Sequence, residues 1–309
     1  FEPHDSIDLF FFDGYVKNQQ ISKMVRRKMF IHPLIQPLYN ANLLVPGYND
    51  HLIKGPSYYS ERDVDHSFIK VPPQLNFLKN ELTVVEKQLL KFGMDLEEKF
   101  VCLYMRDKGY QVNSATMGHC FDVNEFYFII DKLVEEGYFV IRMGKQVESL
   151  LDYQHPKVID YGGKFHSDLM DIWLTYHCDF MISSGGGLCA APVAFRKPLL
   201  YFNCDVLSFF STAVGSLVTF RKLMRNGETV RMTEIINMSL KKLNQILIDP
   251  ESQGVTIENQ SNQEILKVID EMIARINGTW VNEPESEILQ DQFWCKLNEW
   301  EEFSNWHGE

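Results

Sequence analysis

The sequence predicts an α/β protein built on a doubly wound parallel sheet. Three observations predict it. Short, largely apolar runs recur at Phe100–Met105, Tyr138–Met143, Phe180–Ser183 and Leu199–Asn203. They do not alternate polar and apolar positions, as expected of parallel strands covered on both faces. Helix-period stretches separate several of them, and strand–helix alternation is the pattern of a wound sheet. One run, Phe180–Ser183, opens directly into Ser184-Gly185-Gly186-Gly187, the kind of turn that joins a strand to a helix beside a ligand.

The elements follow in order. Ile7–Phe12 (IDLFFF) reads as a short buried strand ending at Asp13-Gly14. Gln19–Phe30 reads as a helix carrying Lys23, Arg26, Arg27 and Lys28. Prolines at 33, 37, 46, 56, 72 and 73 then impose loops and short helices, because proline breaks helices and cannot serve a central strand. Leu82, Val85, Leu89 and Phe92 share a helical face, with Gly93 as the stop.

Beyond Lys99 the strand Phe100–Met105 is followed by Asp122 and Glu125 at capping-box spacing. They open a helix through Phe126, Ile130, Leu133 and Val134 that ends at Gly137. Tyr138–Met143 and Val158–Tyr161 are the next strands, and Ser167-Asp168 starts a helix carrying Leu169, Ile172 and Trp173. Phe180–Ser183, a helix over Leu188–Phe195, and Leu199–Asn203 complete the wound unit. Helices through Ile265–Ile276 and Ile288–Trp300 close the chain.

Composition narrows the function classes. The 309 residues carry a formal net charge of −12, which disfavours a nucleic-acid binder, whose phosphate footprint is basic. No apolar run approaches the roughly 20 residues of a membrane-spanning helix. Cys102, Cys120, Cys178, Cys189, Cys204 and Cys295 are scattered with no CxxC pair. They read as reduced, buried thiols of a cytoplasmic protein rather than a zinc site.

Six places carry candidate chemistry. The loop Ser183, Ser184, Gly185, Gly186, Gly187, Leu188 offers free backbone N–H groups to a diphosphate or to sugar hydroxyls; the plainer reading is a tight turn that needs glycine. Arg106-Asp107, directly after the strand at Phe100–Met105, would face the same crevice. Arg106 suits phosphate, since a guanidinium forks onto two oxygens, while Asp107 is a candidate sugar ligand or base. Arg142-Met143-Gly144 ends the next strand and could hold a ribose or base, or could serve structurally beneath the crevice. Asp168 and Asp171 suit a helix start by charge, and Asp171 is also a ligand candidate. No DxD metal motif occurs. His119 is a candidate general base. The cluster Lys23, Arg26, Arg27, Lys28 could meet an anionic lipid surface, or be a solvated helix face.

These residues resemble a family. Phe100–Tyr110 (FVCLYMRDKGY), Gly137–Gly144 (GYFVIRMG), Ser167–Leu188 (SDLMDIWLTYHCDFMISSGGGL), Asn277–Trp280 (NGTW) and Gln292-Phe293-Trp294 are similar to blocks of bacterial glycosyltransferases from surface-carbohydrate clusters. More distantly they resemble α1,6- and protein-O-fucosyltransferases. The resemblance implies a GT-B-like fold with two Rossmann-like halves facing a cleft. Residues 1–95 would be a partial acceptor-side half, lacking an opening strand before Phe1. Residues 96–280 would bind the nucleotide sugar, and 281–309 would cross back onto the N-terminal half. By this likeness Arg106 would hold the donor diphosphate, with Ser183, Ser184 and Gly185 as the phosphate loop. No metal cofactor would be needed, and the donor would be a nucleotide-diphosphate sugar. His119-Cys120-Phe121 stands where the family often has an Arg-Asn pair.

The expectation is therefore transfer of a sugar from a nucleotide donor to a surface glycan or lipid-linked acceptor, in the cytoplasm or at the inner face of the membrane, with Asp13 or His119 as acceptor-side base. The alternatives are a sugar-nucleotide epimerase or hydrolase on the same fold, or a non-catalytic nucleotide- or glycan-binding subunit.

Overall fold

The computed structural model describes residues 7–52, 67–106, 121–145, 147–148, 150–205 and 213–299. The N-terminal segment is helical. Helix α1 (Gln19–Arg26) is capped by Asn18, whose side chain accepts from the Ile21 N–H at 3.1 Å. Helices α2 (Ile35–Asn42), α3 (Ser67–Lys70) and α4 (Lys79–Lys91) follow. The predicted strand at Ile7–Phe12 reduces to one bridge, Phe10 to Ile31. Ile7 and Leu9 are exposed, so the alternate positions of that run find no core to enter.

One charge cluster, centred on the buried Glu81, ties α1 to α4. Glu81 accepts from Gln20 Nε2 at 2.8 Å and from the Leu78 N–H at 2.8 Å, and pairs with the Arg27 guanidinium. Burial pushes the Glu81 carboxyl up. The hydrogen bonds from Arg27, Gln20 and Leu78, with the charge of Arg27, outweigh it and hold the group at about 2 instead of 4.5. A depressed carboxylate stabilises the fold above its unfolded pKa and loses that contribution as pH falls towards its folded value. The melting-temperature gap between wild type and Glu81→Gln is therefore expected to be widest above pH 4.5 and to narrow as pH falls towards 2, read by thermal melts across that range.

The centre is a six-stranded parallel sheet: β1 (Phe100–Tyr104), β2 (Phe139–Arg142), β3 (Val158–Ile159), β4 (Phe180–Ser183), β5 (Leu199–Cys204) and β6 (Leu217–Phe220). The spatial order is β3-β2-β1-β4-β5-β6, with every ladder parallel. Between β1 and β2 runs α5 (Tyr127–Glu135). Between β3 and β4 run α6 (Tyr161–Lys164) and α7 (Asp168–His177). Between β4 and β5 runs α8 (Ala190–Ala194).

Strand alternation divides the core into two layers. Val101, Leu103, Val140, Phe180 and Ile182 pack under Ile129 and Leu133 of α5, with Ile265 and Ile269 of a C-terminal helix. On the other face Phe100, Cys102, Ile141 and Met181 pack under Trp173 of α7 and Val85 and Leu89 of α4. Both faces are covered, which is why these strands read as unbroken apolar runs. Phe100 to Leu103 are each at most 2% exposed, and each such buried side chain contributes about 1.5–3 kcal/mol of transfer energy.

Beyond β6 the chain adds a small antiparallel sheet. Strands β7 (Lys222–Arg225) and β8 (Glu228–Thr229) form a hairpin turned by Asn226 and Gly227, both at positive φ. After α9 (Met232–Ile236) and α10 (Leu240–Ile248), β9 (Thr256–Glu258) pairs antiparallel on the other side of β7. Helix α11 (Asn262–Ile276) returns to the main sheet, capped by Ser261 and Glu264 in a capping box. Helix α12 (Pro284–Asn298) buries Leu297, with Phe293 and Trp294 beside it, against Leu223, Val230 and Ile235. Ile288 and Leu289 of the same helix are exposed. Four cysteines, Cys102, Cys178, Cys189 and Cys204, are buried free thiols as expected, whereas Cys295 is exposed. Cys120 lies outside the described residues.

Candidate functional site

The winding direction reverses between β1 and β4. From β1 the chain moves one way, to β2 and β3; from β4 it moves the other way, to β5 and β6. Helices α5 and α7 accordingly lie on opposite faces. The carboxyl ends of the two strands on either side of such a reversal border a crevice, the usual ligand position in a wound sheet. Here those ends carry Arg106 and Ser183–Gly187.

Hydrogen bonds join the two ends. The Ser184 N–H donates to the Tyr104 carbonyl at 3.2 Å, and the Arg106 N–H donates to Ser184 Oγ at 3.0 Å. Ser183 is fully buried; its Oγ accepts from the Gly185 N–H at 2.9 Å and lies 3.0 Å from Cys189 Sγ. The loop's first two amides are therefore committed internally. The N–H groups of Gly186, Gly187 and Leu188 have no partner among the described residues, and Gly187 is exposed. A 3₁₀ turn at Gly187–Cys189 leads into α8, which runs only from Ala190 to Ala194. What the loop offers an anion is these oriented amides, a backbone nest, more than the dipole of a long helix.

Glycine is required here for two reasons. Gly185 and Gly186 sit at φ +104° and +140°. A Cβ on Gly186 would also stand 2.8 Å from Tyr104 Oη and 2.9 Å from its Cε1. Gly186→Ala is expected to distort the loop at a cost on the order of 1–3 kcal/mol and to weaken anion binding while the sheet stays folded, read by calorimetry beside a thermal melt.

The other predicted residues separate. Arg142 is 1% exposed, and its guanidinium lies 2.9 Å from Asp160 Oδ1 at the end of β3. The second Asp160 oxygen accepts from the Leu151 N–H at 3.0 Å. Arg142 is thus held in a buried ion pair at the edge of the sheet, the structural role the sequence also allowed. Gly144 (φ +146°) is a packing point. A Cβ on the neighbouring Gly162 would meet the Gly144 carbonyl oxygen at 2.8 Å and its nitrogen at 2.9 Å.

Asp171 is likewise engaged. Its carboxylate accepts from Tyr161 Oη at 2.8 Å and lies 2.9 Å from His166 Nε2. Burial, and then the charge of Asp171, push the Tyr161 phenol well above its ordinary range. Asp168 pairs with Lys145 at 3.3 Å and accepts from the Gln19 N–H at 2.7 Å, docking α1 onto the start of α7. His166, Asp168 and Asp171 bring three donor atoms within 4.8 Å of one another, each carboxylate already serving a protein donor. Sequence reasoning passed over His166, Tyr161, Lys145 and Asp160. The only local signal for them was their position at the ends of predicted strands.

Asp13 is exposed. Its neighbour Gly14 lines a hollow of about 290 Å³ with Phe12, Tyr15, Gln19 and Arg26. No contact among the described residues joins Asp13 to Arg106 or to the glycine loop. Asp107 and His119 lie outside the described residues. Asp122 caps the turn at Val123–Phe126 through the Asn124 N–H at 2.9 Å. No helix among the described residues is long and apolar enough to cross a membrane.

No family model matches the chain, and no curated protein matches it. Solved structures give loose likenesses. The E. coli ADP-heptose LPS heptosyltransferase II is 18% identical over 58% of this chain and 54% of its own, with a TM-score of 0.35. A glycosyl transferase family 9 protein from Veillonella parvula is 12% identical over 65% and 53%, with a TM-score of 0.41. The dodecameric iron-containing heptosyltransferase TibC, solved with ADP-D-beta-D-heptose, is 14% identical over 59% and 48%, with a TM-score of 0.34. The chain spans about half the length of each. The geometry of this chain's own strand ends carries the functional reading.

Proposed function

We propose that this chain is a GT-B-like glycosyltransferase that moves a sugar from a nucleotide-diphosphate donor to a glycan or lipid-linked acceptor. One observation supports it above the others: the β1/β4 reversal places Arg106 beside a loop that presents the unpartnered amides of Gly186, Gly187 and Leu188. In the reaction the acceptor hydroxyl attacks the anomeric carbon and the bond from that carbon to the diphosphate breaks. The diphosphate leaves with added negative charge. The Arg106 guanidinium and the loop amides would stabilise that charge, the electrostatic term on which such catalysis most depends. Since they would neutralise the leaving group themselves, transfer is proposed to proceed without a bound metal. The acceptor proton goes to a carboxylate or imidazole; Asp13, exposed beside the hollow at Phe12–Tyr15, is the candidate base among the described residues.

The test is product analysis by mass spectrometry over a panel of nucleotide sugars, with and without glycan acceptors. A sugar-extended acceptor that forms with one donor class supports transfer. Release of free sugar irrespective of acceptor, or an epimerised donor, would replace transfer by the hydrolase or epimerase reading. Tight nucleotide binding with no turnover would leave a binding subunit.

A further inference from the structure

The N-terminal helices carry a surface that the nucleotide site does not use. From Gly14 to Asn49 the sequence holds no Asp or Glu, yet it holds Lys17, Lys23, Arg26, Arg27 and Lys28, in a chain whose net charge is −12. Helix α2 departs from the ordinary amphipathic rule within this acid-free stretch. Its inward residue is Ile35, buried, while Leu34 and Leu38, one turn apart, are 70% and 60% exposed. Phe30 before the helix (65%) and Leu44 after it (86%) extend the exposed apolar surface, and the polar residues of α2 itself, Gln36, Asn40 and Asn42, are uncharged. A surface helix with an apolar outer face marks an interaction site.

Arg26 adjoins it, and Lys28 lies two residues before Phe30 in the chain. Arg26 donates to the Ile31 carbonyl at 2.8 Å and lines the same hollow as Ile31, Pro33 and Gln36, which places the end of α1 against the start of α2. Arg27 is committed to Glu81, so the cluster read from the sequence is thinned. Lys23, Arg26 and Lys28 remain exposed.

We infer that the face formed by Phe30, Leu34, Leu38 and Leu44, edged by Lys23 and Lys28, docks this chain on an anionic lipid bilayer. The apolar side chains would enter the boundary between headgroups and acyl chains, and the lysines would sit at the anionic headgroups, the arrangement of an interfacial helix. Charge complementarity selects this occupant over a protein groove. The stretch has one sign of charge, no acids to define a register, and leucines suited to a fluid apolar phase. The inference rests on surface chemistry alone and stands or falls independently of the transfer reaction.

The experiment is vesicle flotation of the full chain, using vesicles of phosphatidylcholine alone and of phosphatidylcholine mixed with phosphatidylglycerol. The chain is expected to float with the mixed vesicles and not the neutral ones, and added salt should release it. Lys23→Gln with Lys28→Gln should weaken binding about fivefold per lysine removed. Leu34→Ser with Leu38→Ser should abolish it. Both pairs are exposed, so unchanged thermal melts would show that folding is intact. Failure to float with mixed vesicles, or flotation that the leucine variant leaves unchanged, would overturn the inference. So would self-association by size-exclusion chromatography that the leucine variant abolishes, because the face would then join two copies of this chain.

Discussion

Arg106→Ala is expected to lower the affinity for a nucleoside diphosphate by about 10- to 100-fold in titration calorimetry, while leaving the melting temperature of the free protein nearly unchanged. Charge-assisted hydrogen bonds from a guanidinium to phosphate are each worth about 1.5–3 kcal/mol, and Arg106 sits at the strand end where the winding reverses. The hydrogen bond that joins this residue to the glycine loop survives the change, because it is made by the Arg106 backbone N–H to Ser184 Oγ. Alanine keeps that N–H. Arg106→Lys should recover only part of the affinity, since an ammonium keeps the charge but not the planar fork. Affinity equal to wild type in the alanine variant would remove Arg106 from the site.

Asp160→Asn is expected to do the opposite: a large loss of stability, with a normal nucleotide affinity in the protein that remains folded. Arg142 is 1% exposed and faces Asp160 at 2.9 Å. Removing one partner of a buried pair strands the other charge, at a cost of about 3–5 kcal/mol. Whole domains are stable by only about 5–15 kcal/mol, so this one substitution is expected to consume a large share. Denaturant unfolding gives the stability change, and calorimetry at a temperature where the variant is folded gives the affinity. A stable Asp160→Asn protein that binds nucleotide weakly would return Arg142 and its neighbourhood to the ligand site. The two variants distinguish the two arginines: Arg142 is held by Asp160 at the sheet edge, and Arg106 is the one proposed to serve the crevice.

That separation shows what sequence could and could not convey. Strands at Phe100, Phe139, Phe180 and Leu199 were legible because each had to be apolar on both faces, leaving no polar alternation to confuse them. Their order was not legible. Only the pairing of β1 with β4 brings Arg106 to Ser184, across 78 residues of sequence. Arg106 and Arg142 look alike in sequence, each closing an apolar run; the acid that claims Arg142, Asp160, directly follows a strand of just two residues, Val158–Ile159. The small antiparallel sheet went unread although Asn226-Gly227 is a strong two-residue hairpin signal. Its flanks, Lys222–Arg225 and Glu228–Thr229, are too short and too charged to read as strands without their partner β9. The run at Ile7–Phe12 erred the other way: β-prone residues formed one bridge because no core receives them.

The central claim is positional: a nucleoside diphosphate sits where the sheet reverses between β1 and β4. Amide chemical shifts of the isotopically labelled protein, followed through a titration with a nucleoside diphosphate, test it most directly. The account expects the signals of Gly186, Gly187 and Leu188 to move together and saturably, because their N–H groups are the unpartnered donors of the loop. Saturable binding that leaves those three signals still and moves others, such as those of the hollow of about 410 Å³ at Arg221, Leu223 and Arg231, would contradict it.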